Sequence, residues 1–307
     1  MMGIAGATAL FWRHGTEGGE TWHTGAARVN NSEEPPRLLI FGLGYIGSAV
    51  ARASAAAGFR VSGAGRTTDA ASAIGAATHL LSTAPPGEHG DPVLARHGAA
   101  IAAAPRLRWV GYLSTTGVYG DRDGAWVDEA TTPAPASERS RRRLAAEADW
   151  GRLADRRAVD LFRLAGIYGP GRSAFDDLRA GTARRVVRPG HAFGRIHRDD
   201  VVGAILAAMQ QRRGAGTRVL NVTDDEPAES AAVVEEAARL LGVTPPAPVP
   251  FALAVASMSP MARSFWAESR KVSSCRTRQA LGLQWLYPSY REGLRAILAE
   301  EGKQRPP

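Results

Sequence analysis

One cysteine, Cys275, stands in 307 residues. No internal disulfide can form, and a reducing, cytoplasmic setting is expected. No apolar run reaches the roughly 18 residues needed to span a bilayer, so no membrane association is expected. The mildly apolar stretch Gly3 to Trp12 has no basic residue before it and is followed by Arg13 and His14, which argues against a secretory signal. There is no Lys-rich tail and no aromatic–basic interleaving. The formal charge of +8, carried mostly by arginine, is therefore assigned chiefly to coding bias, with attraction of phosphates as a secondary benefit and no nucleic-acid partner expected. No Gly-x-Ser-x-Gly elbow surrounds Ser114, which leaves a hydrolase triad unsupported. His197, Asp199 and Asp200 lie close together, but no further ligand cluster accompanies them and no metal is expected. The two acids are expected to cap a helix over 201–211.

What the chain does contain is Arg37-Leu-Leu-Ile-Phe-Gly-Leu-Gly-Tyr-Ile-Gly47. An apolar run, Leu38 to Phe41, ends in Gly-x-Gly-x-x-Gly, and a small-residue helical pattern follows at once. Strand, tight turn and helix in that order are the context of a dinucleotide-binding turn; the plainer alternative is a glycine-rich turn. Gly42 lets the chain turn sharply, Gly44 lets the backbone approach a pyrophosphate, and Gly47 lets the helix pack close to the strand. The helix start offers free N–H groups and a positive dipole end. Gly42, Gly44, Tyr45, Ile46 and Gly47 are the expected cofactor contacts, joined by Thr83 at the end of a later strand.

Residues 1–36, ending in Glu33-Glu-Pro-Pro36, show no periodicity and are expected to be a disordered extension outside the fold. Strands and helices then alternate. Strands are expected at 60–64, 78–82, 108–113, 158–164 and 218–222, and helices at 91–103, 137–154, 228–241 and 289–300. Residues 244–250 read as a proline-rich linker and 301–307 as a tail. The fold class is α/β, with a doubly wound parallel sheet covered on both faces. Between Val61 and Leu80 there is too little chain for a helix, a third strand and another helix, since each crossover needs roughly a dozen residues. In the usual order 3-2-1-4-5-6 the missing third strand is the edge strand. Its loss leaves the central strands paired and the second strand open.

Further segments carry a family resemblance. Ser114-Thr-Thr-Gly-Val-Tyr-Gly120 resembles the Ser-Ser/Thr-x-x-Val-Tyr-Gly segment of extended short-chain dehydrogenases/reductases, the NAD-dependent epimerase/dehydratase group. Arg163-Leu-Ala-Gly-Ile-Tyr-Gly-Pro-Gly171 and Arg195-Ile-His-Arg-Asp-Asp-Val201 resemble two later segments of that group. Asn221 to Pro227 and Leu281 to Leu294 also fit, so the resemblance runs in order over about 37–300. It implies a Rossmann sheet, a nicotinamide cofactor and a small C-terminal substrate lobe built from 167–197 and 223–300. The group's Tyr-x-x-x-Lys pair exchanges a proton with the substrate. With Pro135, Ser137 and Glu147 as anchors, Arg139 stands at the tyrosine position and Arg143 at the lysine position. Arginine stays protonated and cannot shuttle a proton. Thr115 matches the group's Ser/Thr. The chain therefore resembles an atypical member that keeps the cofactor site and lacks the standard proton donor.

Thr115, Arg139 and Arg143 are accordingly the candidate catalytic residues. For Thr115 the alternative is a hydroxyl that satisfies local backbone; for the two arginines it is a solvated helix face. Arg141 and Arg142 point away from them. Arg66 follows the second strand, and Val61 to Thr68 contains no acid, which favours NADP over NAD. The resemblance brings Tyr168 beside the nicotinamide. Tyr119 is expected in the core or a loop, His79 at a strand end, and Cys275 in a structural role. Two functions compete. One is an NAD(P)-dependent oxidoreductase or epimerase acting on a small polar substrate. The other is a non-catalytic NADP-binding sensor or interaction module. A homodimer through the helix at 137–154 is a further expectation by analogy.

Overall fold

The computed structural model describes residues 34–304 apart from Arg66. The expectations for 1–33, for 305–307 and for Arg66 lie outside the described residues. Strand β1 (Arg37–Phe41) shows why the sheet needs two covers. Leu38 and Ile40 enter one apolar layer, Leu39 and Phe41 the other, as the two-residue period of a strand dictates. Five more strands join it: β2 (Arg60–Ala64), β3 (His79–Ser82), β4 (Trp109–Thr115), Ala158–Leu164 and Gly216–Val222. Every neighbouring pair is parallel. From one edge the order is β2, β1, β3, β4, Ala158–Leu164, Gly216–Val222.

Between β2 and β3 the described residues form only α2 (Ala71–Ala76), so among them the third strand of the full Rossmann half is absent and β2 is the edge. Only Ala64 of β2 is buried. Its exposed Arg60, Ser62 and Gly63 blunt that edge against pairing with another chain. From β2 the chain crosses back over β1 to β3, so the winding reverses between β1 and β3. That reversal opens a crevice at the carboxyl ends of the strands.

One sheet face is covered by α1 (Tyr45–Ala56) and the helix Arg198–Gln210, through Val50, Val201 and Ile205. The other is covered by α2, α3 (Pro92–Ala103) and α4 (Glu138–Gly151), through Ile74, Ile101 and Trp150. Asp91 starts α3 by accepting from the amides of Val93 and Leu94. Smaller apolar clusters lie outside the sheet. Phe175, Tyr290 and Leu294 centre one, and Val186, Ala254 and Trp266 another.

Two expectations need correction. The helix expected at 201–211 starts at Arg198, and its cap is His197, whose Nδ1 accepts from the Asp199 amide at 3.2 Å. Asp199 and Asp200 lie in the first turn instead. Asp200 accepts from the amides of Leu286 and Tyr287 at 2.6 and 3.1 Å. The linker at 244–250 contains a short strand, Pro248–Pro250, parallel to Arg185–Val187. Prolines are tolerated there because the pair has only two strands and both are edges. Among the described residues no helix is long and apolar enough to cross a membrane.

Candidate active site

The glycine turn begins where β1 ends. Gly42 has φ +93°, a conformation that glycine adopts without a side-chain clash. Its amide donates to Ala64 O at 3.0 Å, and the Thr83 hydroxyl donates to its carbonyl at 2.8 Å. Thr83 thus clamps the turn from the end of β3. A Cβ on Gly47 would lie 2.0 Å from the Gly42 carbonyl oxygen, so α1 can approach β1 this closely only with glycine there. Gly44 differs from both. It is the cap residue of α1, with extended backbone (φ −75°) and no side-chain cap, and a Cβ there would meet nothing within 4 Å. The first turn of α1 has no acid. The helix start thus carries no compensating carboxylate, and beyond Gly44 lies open space, which suits an anion.

That space is a crevice of about 700 Å³. Gly44, Tyr45, Ile46, Gly47 and Thr83 line one end. Tyr45 donates its hydroxyl to Pro170 O at 3.1 Å, and the guanidinium groups of Arg172 and Arg198 lie 5.7 Å from its ring centre. Burial raises the Tyr45 phenol above its ordinary range. Ile46 also enters the core beneath.

Thr115, Arg139 and Arg143 line the same crevice. Thr115 ends β4, and its Oγ1 accepts from the Gly117 amide at 3.1 Å. This local bond leaves the hydroxyl proton free. Beside it, Ser114 donates to Glu147 at 2.5 Å, and Arg163 grips the same carboxylate through Nε and Nη2 at 3.0 and 2.7 Å. Arg163 also lies over the Tyr119 ring, whose hydroxyl donates to Asn221 at 2.8 Å. This buried network fixes the end of β4 against α4.

Arg139 and Arg143, one turn apart on α4, reach the same crevice. Arg143 is buried; its Nη1 donates to Tyr112 Oη at 3.1 Å and Leu113 O at 2.7 Å. Arg139 is exposed and lies over Phe265, 5.6 Å from the ring centre. Arg141 and Arg142 instead pair with Glu138 on the outer face. Tyr168 lines the crevice but directs its hydroxyl to Ser289 O at 3.4 Å. Burial, reinforced by Asp224 and Asp200, pushes that phenol far above its ordinary range. Tyr119 and His79 are both core residues.

Several lining residues carried no sequence signal: Arg172, Phe193, Phe265, Trp266 and the Glu268–Arg270 pair. Arg172 directly follows Tyr168-Gly-Pro-Gly171, and that adjacency was the one available clue.

The six-stranded parallel sheet, its switch point and its glycine turn make this a Rossmann fold of the NAD-binding epimerase/dehydratase type. A solved structure from Methylobacillus flagellatus that carries the name NAD-dependent epimerase/dehydratase is 26% identical, with a TM-score of 0.67 over 87% of this chain and 99% of that one. A functionally unknown conserved protein from Silicibacter pomeroyi DSS is 42% identical, with a TM-score of 0.78 over 87% of this chain and 99% of that one. No family model matches the chain. Protein YeeZ of Escherichia coli K12 is 30% identical over 243 residues, covering 68% of this chain and 85% of YeeZ. The chain belongs to the family of YeeZ. It is also 37% identical over 142 residues to a 3-diazoavenalumate denitrifying reductase of Streptomyces, a match that spans 45% of that reductase.

Proposed function

We propose that this chain is an NAD(P)-dependent oxidoreductase or epimerase-like enzyme for a small polar substrate, working without the usual tyrosine and lysine. The observation that carries this reading is the uncompensated start of α1, opened by Gly44 onto the crevice. A dinucleotide fits these residues. The amides after Gly44 would hold the diphosphate, Thr83 keeps the turn in shape, and Arg172 adds positive charge beside Tyr45. When bound, the nicotinamide supplies or accepts a hydride. The lack of any acid from Val61 to Thr68 supports NADP(H), because no carboxylate would repel a 2′-phosphate.

Thr115 orients the substrate oxygen with its free hydroxyl proton. Arg139 and Arg143 stand where the epimerase pattern has its proton donor and lysine. Their fixed charge favours negative charge on the bound substrate without giving up a proton. The proton itself comes from water, because the two lining phenols, Tyr45 and Tyr168, are both tied to carbonyls. The name of the Streptomyces relative, a reductase, supports hydride chemistry. A second reading, a non-catalytic NADP-binding sensor, draws on the same lack of the tyrosine and lysine pair. Titration with NADPH and NADH followed by turnover with a carbonyl panel separates the two. Binding with turnover supports the enzyme, binding without turnover supports the sensor, and no binding overturns both.

A further inference from the structure

The charged lining of the crevice is one-sided: Arg139, Arg143, Arg172, Arg195 and Arg270 against Glu268. Arg270 is paired with Glu268 at 2.5 Å. Arg195 spends Nη1 on the carbonyls of Phe193 and Ala228 at 2.9 and 2.8 Å. Arg172 lies against Tyr45 in the glycine turn, on the coenzyme side. Arg139 and Arg143 remain. Among the described residues neither has a carboxylate within ion-pair distance.

Arg143 is the more instructive of the two. Its Nη1 is used twice, by Tyr112 Oη and Leu113 O, and its guanidinium lies 5.6 Å from the Tyr112 ring centre. These contacts set the plane of the group. Nε and Nη2 find no acceptor among the described residues, yet they are not among the sealed, unpartnered atoms. They form the flat two-donor edge that matches a carboxylate. Arg163 uses the same edge on Glu147, through Nε and Nη2. Beside the arginines the wall turns apolar. Phe265 is 53% exposed under Arg139, and Phe193 meets Trp266 edge to face at 4.9 Å.

We infer that the substrate is a flat, unsaturated or aromatic carboxylate, with its carboxylate on the free edge of Arg143, Arg139 flanking it, and its apolar body against Phe265 and Trp266. This rests on the reading that the glycine end of the crevice takes the dinucleotide. A phosphate ester would gain from the charge but not from the ring wall, and a neutral compound would leave the buried Arg143 without a counter-charge.

The test uses the full chain, with and without saturating NADPH, titrated with trans-cinnamate, trans-cinnamamide and inorganic phosphate. Cinnamate is expected to bind about tenfold or more tightly than the amide, the scale of a charged two-donor contact, and phosphate should not displace it. Arg143→Gln should erase the preference for acid over amide. Because Arg143 also braces β4, Arg139→Gln on the exposed helix face is the second variant, and it should reduce the preference in a protein of unchanged thermal stability. Arg141→Gln, on the outer face, should leave it intact. Equal binding of acid and amide, no binding of cinnamate, or displacement by phosphate would overturn the inference. If NADPH fails to bind while cinnamate still prefers Arg143, the coenzyme reading falls and the carboxylate site stands.

Discussion

Gly44→Ala separates what glycine does for the fold from what it does for a ligand. At Gly44 φ is −75°, which alanine adopts without strain, and the new Cβ would meet nothing within 4 Å. Alanine is a poorer helix cap than glycine, but it also restricts the unfolded chain. The two effects oppose each other, and the net change in stability should stay within about 1 kcal/mol. The methyl group would nevertheless stand in the space through which a diphosphate must approach the amides of α1. Losing one charge-assisted amide bond costs about 1.5–3 kcal/mol, or roughly ten- to a hundredfold in affinity. Urea unfolding and NADPH titration of the same preparation read both quantities. Unchanged affinity for NADPH would refute the placement of the diphosphate. A stability loss above about 2 kcal/mol would refute the claim that this glycine is spared for the ligand.

Gly47→Ala should behave in the opposite way, because its Cβ would sit 2.0 Å from the Gly42 carbonyl oxygen. A loss of about 3 kcal/mol or more is expected in urea unfolding, and a loss below 1 kcal/mol would show that the helix can shift. Glu147→Ala strands buried Arg163 and removes the acceptor of Ser114. A destabilisation of about 3–5 kcal/mol, measured by thermal or urea unfolding, is expected, and a neutral result would contradict the network. Asp224 is buried with both oxygens unpartnered, and burial pushes it from 3.8 up to about 8. The folded state therefore holds this proton more tightly than the unfolded chain does, and stability falls as pH rises from about 4 to about 8. His79 and His197, lowered by burial to about 4, act in the reverse sense below about 6.5. Between about pH 6.5 and 8, Asp224→Asn should gain on wild type by up to about 1.4 kcal/mol per pH unit. Parallel unfolding curves across that window would refute the assignment.

The sequence carried the fold well where periodicity and local chemistry agreed. Leu38 to Phe41 followed by Gly42 could be placed because a two-sided strand and a glycine turn are both local patterns. The missing third strand could be inferred from chain length between Val61 and Leu80, since a crossover has a minimum reach. His197 as a helix cap was not legible, because a histidine ring nitrogen accepts an amide only when its orientation is fixed by packing against Tyr168 and Tyr287. The site was half legible. Residues contributed by the glycine turn and by α4 follow from motif spacing. The wall formed by Phe193, Phe265, Trp266, Glu268 and Arg270 comes from loops and a short helix brought together by tertiary packing, which leaves no periodic trace. The freedom of one edge of Arg143 also depends on Tyr112 and Leu113, some thirty residues away in the chain.

The most direct measurement is a calorimetric titration of the full chain with NADPH and NADH, repeated on Gly44→Ala. Saturable one-to-one binding, tighter for NADPH and weakened at least tenfold by the added methyl group, is the predicted result. Absence of heat from either nucleotide at millimolar concentration, in a protein that unfolds cooperatively, would contradict it.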